Sequence, residues 1–483
     1  MDVVDGSSSV PPSTSNGTSP SNNGPKHPVM GKTAMYRHAV AIHSQVRHSC
    51  LSRDSTNATS FIGFRNLMVV VLVAMNLRLV IENSLKYGVL LCIKCHDYRK
   101  QDVVIGAILF ALIPCQLLCS YFIELTASGH AKRVIGRAKK GDKILNESRR
   151  TWFLIALLHS IISFSGLVVT SYVIFYYVNH PGIGTLCEIQ VIVVSLKSYS
   201  YALTNRDLRR AMLGSPSTDF SVPELYRSCP YPRNITLGNL AYYLLAPTLV
   251  YQPVYPRTPR IRWSFVGKRL FEFVGLSVVI WLLSAQYAAP LLRNATEKIA
   301  VLHFTSILER GLKLSTISLV IWLAGFYAIF QSLLNGLAEI MRFGDREFYT
   351  DWWNSPSFGV YWRSWNRPVY MFMKRHVYMP LVTRGWNPIF ASTMVFLISA
   401  ILHELLVGVP THNPIGVAFL AMLFQLPLIL LTAPFEKLKT PLGKAIGNSF
   451  FWLTFCVVGQ PLGTLLYFFA WQAKYGSVSK TQL

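Results

Sequence analysis

A histidine followed by a glutamate closes the apolar run that starts at Ile389, in Ser399-Ala-Ile-Leu-His403-Glu404. Helical residues rise about 1.5 Å each, so His403 sits roughly 21 Å along that run. An ionisable pair at such depth is costly in lipid and implies a polar cavity inside a helix bundle. Ser399 lies one turn earlier on the same face as the imidazole. A neutral imidazole, with a pKa of about 6.5 in water, is suited to taking a proton from a hydroxyl at neutral pH. The alternative is a structural histidine satisfied by a neighbouring helix, which is how His159 in Leu157-Leu-His-Ser160 reads. Metal ligation is not expected, because no other His or carboxylate stands at ligand spacing on this helix and Glu404 points to a different face.

The second concentration of chemistry is a loop, Phe348-Tyr-Thr-Asp-Trp-Trp-Asn354 followed by Tyr361-Trp-Arg-Ser-Trp-Asn-Arg-Pro368. One reading is an aromatic belt that anchors the loop at headgroup level. The other is the wall of a portal for an anionic amphiphile. Aromatic rings would then meet an acyl or adenine group, and Arg363, Arg367, Lys374 and Arg375 would meet phosphates. Cys92, Cys95 and His96 spell a haem-attachment motif, which reads here as a plain loop or a local disulfide, since eight cysteines in 483 residues are too sparse for a disulfide framework.

The elements that position these groups must cross a membrane. Of the 483 residues, 52% are hydrophobic and 14% charged, against about 25% charged in a soluble domain. A formal charge of +24 suggests nucleic-acid binding, but the cations lie between long apolar runs rather than beside a soluble core. Segments long enough to span are 67–91, 103–125, 152–178, 183–203, 271–290, 314–340, 389–408, 415–433 and 449–471. Arg78 and Glu82, one turn apart in the first, are expected to face the protein interior. Alternate loops 126–151, 204–270, 341–388 and 434–448 carry 28 Lys and Arg, whereas the other set carries 7. The positive-inside rule makes the first set cytoplasmic, with the N-terminus on that side and the C-terminus lumenal. Only the sequon at Asn294 then lies outside the cytoplasm, those at Asn16, Asn57, Asn146 and Asn234 staying unmodified. Asn239–Tyr251 reads as an interfacial helix, and the Trp-rich stretch 348–378 as lying on the bilayer surface. Residues 1–60, rich in Ser, Asn, Pro and Gly, read as a disordered cytoplasmic arm without a signal peptide.

The seven-residue motif at 348–354, preceded by Arg342-Phe-Gly-Asp-Arg-Glu347 and followed by His403-Glu404, resembles the membrane-bound O-acyltransferase (MBOAT) family, in the branch that makes triacylglycerols and steryl esters. Arg78-Leu-Val-Ile-Glu-Asn-Ser-Leu-Lys-Tyr-Gly88, Ala246-Pro-Thr-Leu-Val-Tyr251, Tyr255-Pro-Arg257 and Gly459-Gln-Pro461 are more similar to the members that acylate diacylglycerol than to those that acylate sterols. The resemblance covers residues 65 to 471 and implies a general base at His403, with Asn366 helping to position the reacting groups. It also implies acyl-CoA contacts along the segment containing Trp362, Arg363, Trp365, Arg367, Pro368 and Tyr370, with Gln425 and Gln460 lining a tunnel. Phe348, Tyr349, Asp351, Trp352, Trp353 and Asn354 form the motif, and Glu404 and Ser399 support the base. Tyr370 stands where the family commonly has His, and Ser392 where it has Arg, so the CoA headgroup contacts are expected to differ here.

The expected protein is thus all-α and polytopic, with about nine transmembrane helices in an MBOAT fold and interfacial helices in the cytoplasmic loops. Residues 1–60 form the arm, 61–475 the transmembrane catalytic domain and 476–483 a short tail. No cofactor or metal is expected, acyl-CoA being a co-substrate. Acyl-CoA, diacylglycerol and the lipid bilayer are the expected partners, nucleic acid is not, and the resemblance implies a homodimer or homotetramer in the endoplasmic reticulum membrane. The runner-up acceptor is a sterol hydroxyl. A transporter with His403 as a proton relay is the competing class, without an inverted repeat to support it.

Overall fold

The computed structural model describes residues 99–138, 147–213, 224–288, 304–438 and 440–456, with scattered positions from 68 to 88 and at 290, 463, 466 and 467. The chain divides into units 1–72 and 73–483, and the described elements belong to the second. The arm, the tail 476–483, Gln460, the Cys92-Cys95-His96 motif and the sequons at Asn16, Asn57, Asn146 and Asn294 lie outside the described residues.

Helices α1 (Lys100–Leu112) and α2 (Cys115–Ala138) form one run interrupted just before Pro114, whose ring cannot supply the N–H that would continue the first helix. Helices α3 (Glu147–Tyr177) and α4 (Pro181–Met212) make a long antiparallel hairpin. Its turn works because Pro181 enters α4 at the first turn, where no N–H is needed, and His180 accepts the Ile183 N–H at 3.3 Å. Helix α4 packs against α1, α2 and α3, and also against the helix that carries His403.

The inner face of α4 is polar. Glu188, Lys197, Ser198, Ser200, Thr204, Asn205 and Arg209 are all buried, which explains why α4 is absent from the helices apolar enough to span by composition. Each of these groups needs an internal partner. Lys197 finds three: its ammonium donates to the carbonyls of Tyr243, Leu244 and Ala246, each at 2.8 Å. Those carbonyls close helix α5 (Leu237–Leu245), so a buried cation meets the negative end of the helix dipole.

The segment expected to be one interfacial helix over 239–251 stops at Leu245. Pro247 disfavours helical backbone at Ala246, which is extended, and the chain then folds back so that Tyr243 and Tyr251 become fully buried. Helix α6 (Trp263–Leu283) continues into a π-helical turn. Helix α7 (Phe304–Phe326) runs through a longer π-helical segment, Tyr327–Leu333, into α8 (Leu334–Ile340). Short helices α9 (Phe358–Ser364) and α10 (Arg367–Met373) precede α11 (Pro388–Gly408), α12 (Val417–Leu423), α13 (Gln425–Lys437) and α14 (Pro441–Thr454).

Among the described residues six helical stretches are long and apolar enough to cross a membrane: Lys100–Arg137, Arg150–Tyr177, Trp263–Ala288, Leu314–Ile340, Pro388–Gly408 and Val417–Lys437. No β-strand occurs among them, only an isolated bridge between Arg257 and Phe343. Arg78 and Glu82, expected inside, lie on the surface of their unit.

Candidate active site

The Trp-rich loop is packed more tightly than its composition alone implies. Trp352 is 2% exposed and sits in an aromatic cluster, whereas Trp353 beside it is 44% exposed. The Trp352 ring centroid lies 5.1 Å from Trp322 and 5.0 Å from Phe326 on α7, 5.9 Å from Trp353 and 5.8 Å from Trp452 on α14. Trp365 stacks on Tyr361 with ring planes 4° apart. A surface belt gives each ring one apolar side, whereas here edge-to-face packing engages several sides, and that holds the loop more firmly.

Within the motif, Phe348 and Trp352 are core residues and Tyr349 donates its hydroxyl to Gln331 at 2.6 Å. Gln331 lies in the π-helical segment, where the altered backbone turns a side chain of a long apolar helix towards the loop. Asp351, Trp353 and Asn354 are exposed. Sequence reading missed Gln331; nothing distinguished it from the other polar residues of the run 314–340, such as Ser332, Asn335 and Glu339.

His403 stands sixteenth in α11, about 22 Å along the helix axis from Pro388. Its Nδ1 is 2.7 Å from the Ser399 carbonyl and 3.4 Å from the Ser399 hydroxyl. A carbonyl can only accept, so Nδ1 carries the hydrogen and Nε2 keeps the free lone pair. Ser399 therefore sets the tautomer mainly through its main chain.

Glu404 looks away from the imidazole. Its Oε1 accepts the Gly416 N–H at 2.8 Å, and Oε2 accepts the Phe419 N–H at 3.1 Å and the Tyr467 hydroxyl at 2.7 Å. It thus caps α12 from the neighbouring helix. Gly416, at φ 77°, occupies the left-handed region that a side chain would strain, and the turn into α12 needs it there. Gly408 is also required, since an added Cβ would stand 2.9 Å from the Pro414 backbone and 3.0 Å from the Glu404 carboxylate.

Asn366 caps α10, its side-chain oxygen accepting the Val369 N–H at 3.2 Å, and Arg367 and Pro368 follow in the first turn. Val369, Phe372 and Met373 of that helix share an apolar cluster with Val395 and Leu402 of α11, which brings the capped helix beside the His403 helix. Trp362 bridges the same elements: its ring centroid is 5.7 Å from Phe396, and its indole donates to Gln425 at 3.3 Å. Trp362 and Gln425 thus meet between α9 and α13, and both Trp362 and the helix capped by Asn366 pack against α11, which carries His403.

The basic residues separate into two groups. Arg367, Lys374 and Arg375 line a pocket of about 450 Å³, walled also by Pro247 and Tyr255 and by the motif residue Phe348. Burial pushes the Tyr255 phenol well above its usual range, so it remains a neutral donor to the Val250 carbonyl at 3.0 Å. Arg363 lies apart, donating to Glu436 at 2.6 Å, and Arg367 is itself shared with Glu347 at 2.6 Å. Tyr370 stacks under the cations, 5.9 Å from both Arg367 and Lys374. Ser392 is half-buried on the first turns of α11. No cluster of potential metal ligands occurs among the described residues.

Comparison with known proteins agrees with this arrangement. The model of the MBOAT, membrane-bound O-acyltransferase family, matches residues 109–468. The chain is 35% identical over 457 residues to diacylglycerol O-acyltransferase 1C of Glycine max, covering 94% of this chain and 83% of that one. It is 35% identical over 451 residues to diacylglycerol O-acyltransferase 1 of Arabidopsis thaliana, covering 92% and 80%. Against diacylglycerol O-acyltransferase 1 of Dictyostelium discoideum it is 34% identical over 423 residues, covering 88% and 64%. With the motif loop, the His403 helix and the basic pocket all inside the matched span, the chain belongs to the membrane-bound O-acyltransferase family, in its diacylglycerol O-acyltransferase 1 branch.

Proposed function

We propose that the protein transfers the acyl group of acyl-CoA to the free hydroxyl of 1,2-diacylglycerol, forming triacylglycerol within the membrane. The observation that carries the mechanism is the Nδ1 contact of His403 with the Ser399 carbonyl, which leaves Nε2 as a base. As the diacylglycerol oxygen attacks the thioester carbonyl carbon, its proton passes to Nε2. The carbon–sulfur bond then breaks, and the proton goes on to the CoA thiolate, which leaves as the thiol. No cofactor is needed, because acyl-CoA brings its own leaving group.

The remaining residues are assigned by position. Asn366, with Trp362, Trp365 and Gln425, holds the reacting groups near His403. Arg367, Lys374 and Arg375 take the CoA phosphates in the 450 Å³ pocket, with Pro368 and Tyr370 beside them. Arg363 stiffens the wall through Glu436 rather than facing phosphate. Phe348, Tyr349, Asp351, Trp352, Trp353 and Asn354 form the frame that joins α7, α9 and α14, and Glu404 acts through α12. Exclusion of bulk water around His403 favours the lipid alcohol over hydrolysis.

The topology that supports this chemistry has nine spans, among them the six apolar stretches described above and α4, in a catalytic domain over 61–475 flanked by an arm and a short tail. The basic loops and the CoA pocket face the cytoplasm, the C-terminus faces the lumen of the endoplasmic reticulum, and the assembled form is a homodimer or homotetramer. Purified protein in lipid, supplied with oleoyl-CoA and either diacylglycerol or a sterol, tests the activity. Triacylglycerol formation is expected, and esterification of the sterol alone would overturn the assignment.

A further inference from the structure

Away from His403, α3 and α4 leave a groove of about 650 Å³ between the first turns of one and the last turns of the other. Its floor is apolar and buried at Ile155 and Ala202, and its rim is exposed at Phe153 and Tyr199, so it opens sideways from the bundle. At one end stand Arg206, Arg209 and Arg210. Arg209 is committed elsewhere: it is buried, lies 4.9 Å over the Trp152 ring and pairs with Glu124, which also accepts the Tyr231 hydroxyl at 2.8 Å. Among the described residues Arg206 has one ion pair, with its neighbour Asp207 at 3.0 Å on the surface, and it stands near His376. Arg210 is exposed and has no carboxylate within ion-pair distance among the described residues, while Arg384 adds a fourth cation to its surroundings.

The floor holds a second anomaly. His159 is 6% exposed, lines the groove, and neither ring nitrogen has a hydrogen-bond partner. Glu124 lies 3.6 Å from its Nε2, beyond hydrogen-bond reach. Buried imidazoles are ordinarily satisfied, so this ring is set for a partner that enters the groove. From Trp152 to Ser160 the groove follows nine residues of α3, about 12 Å along the axis. That length spans a phosphate, a glycerol backbone and the first part of an acyl chain.

We propose that this groove holds one anionic phospholipid of the surrounding leaflet. Its phosphate sits between Arg206 and Arg210, its glycerol region along Phe153 and Ala156, and an ester carbonyl at His159, from which one chain leaves past Ser160 and Tyr199. Arg210, which has no ion pair among the described residues, and Arg206, whose partner Asp207 is exposed, favour an anionic over a zwitterionic headgroup, and the apolar sideways opening favours a lipid over a free anion. The site rests on the membrane setting of α3 and α4 and is independent of the acyl-transfer mechanism.

Native mass spectrometry of the purified full-length protein, released from mixed micelles containing dioleoyl phosphatidylglycerol, tests this directly. The unaltered protein is expected to retain one such lipid. Retention falls at least about tenfold in Arg206→Gln/Arg210→Gln, which removes charge-assisted bonds to the phosphate. It also falls in Ala156→Trp, which fills the groove without changing charge. His403→Ala keeps the lipid. Equal retention in both groove variants overturns the proposal. Displacement of the lipid by inorganic phosphate also overturns it, in favour of a plain anion site, as does displacement by oleoyl-CoA at matched concentration, in favour of a second acyl-CoA position.

Discussion

Glu404 stands next to the proposed base in sequence, yet its carboxylate is spent on another helix, and the change Glu404→Gln separates the two roles. The carboxylate accepts two backbone N–H groups at the start of α12 and the Tyr467 hydroxyl. Bonds to a charged acceptor contribute about 1.5–3 kcal/mol each. Glutamine keeps one oxygen, so one end of the clamp survives, while the other end presents an NH₂ to a donor. The net loss is one or two charge-assisted bonds, roughly 2–5 kcal/mol, and the helix dipole loses its anion as well. Thermal unfolding in detergent is therefore expected to fall by several degrees. Turnover measured well below the new midpoint should fall only modestly, because the Ser399–His403 contact does not involve Glu404. A variant that melts within about 1 °C of the parent but loses about a thousandfold in turnover would refute this reasoning and place Glu404 in the chemistry.

His403→Ala should lower triacylglycerol synthesis at least about a hundredfold, the usual contribution of a positioned general base, with an unchanged elution profile in detergent; near-normal turnover would remove His403 from the mechanism. Lys374→Gln should raise the KM for acyl-CoA about three- to tenfold with kcat nearly unchanged, because it removes one exposed charge from the pocket that Arg367 and Arg375 share. Trp352→Ala should cost about 3–5 kcal/mol and collapse the yield of folded protein, a loss that intrinsic fluorescence during unfolding would follow. His376 is held at about 4 by burial, with Arg375 and Arg206 nearby, and its Nε2 shares a 2.7 Å contact with Ser200. An unfolded histidine titrates near about 6.5, so between these values the unfolded state binds more protons and folding weakens as pH falls. Unfolding midpoints of the parent should drop more steeply from pH 7 to pH 4 than those of His376→Gln, and parallel curves would show that His376 is not the group responsible.

Much of the architecture could be read before any coordinates. Apolar runs longer than about 18 residues must be helices that satisfy their own backbone, so the runs at 103–125, 152–178, 271–290, 314–340, 389–408 and 415–433 coincide with helices of the structure. The run 183–203 is also helical, but composition hides its role: the polar side chains that lower its hydropathy are turned inwards, Glu188 to the Ser171 hydroxyl and Lys197 to the carbonyls at the end of α5. Asn234 illustrates the same limit. Its sequon reads as unmodified because of its side of the membrane, whereas the structure buries its amide against Asn205 at 2.7 Å and Tyr251 at 3.0 Å.

The site divides in a similar way. Residue types and spacing alone put an imidazole deep in a helix, a serine one turn before it and a glutamate on another face, because those relations depend only on helical periodicity. Pairings across 60 to 80 residues have no local signal. That Trp362 meets Gln425, that Arg363 is held by Glu436 while Arg367 joins Lys374 at a pocket, and that Trp352 of the Trp-rich loop lies in a packed core were decided by how helices dock. The order of side chains along each helix is set by backbone geometry that every sequence shares. Which helix faces which depends on the summed shape and polarity of many side chains at once, and only the folded chain expresses that sum.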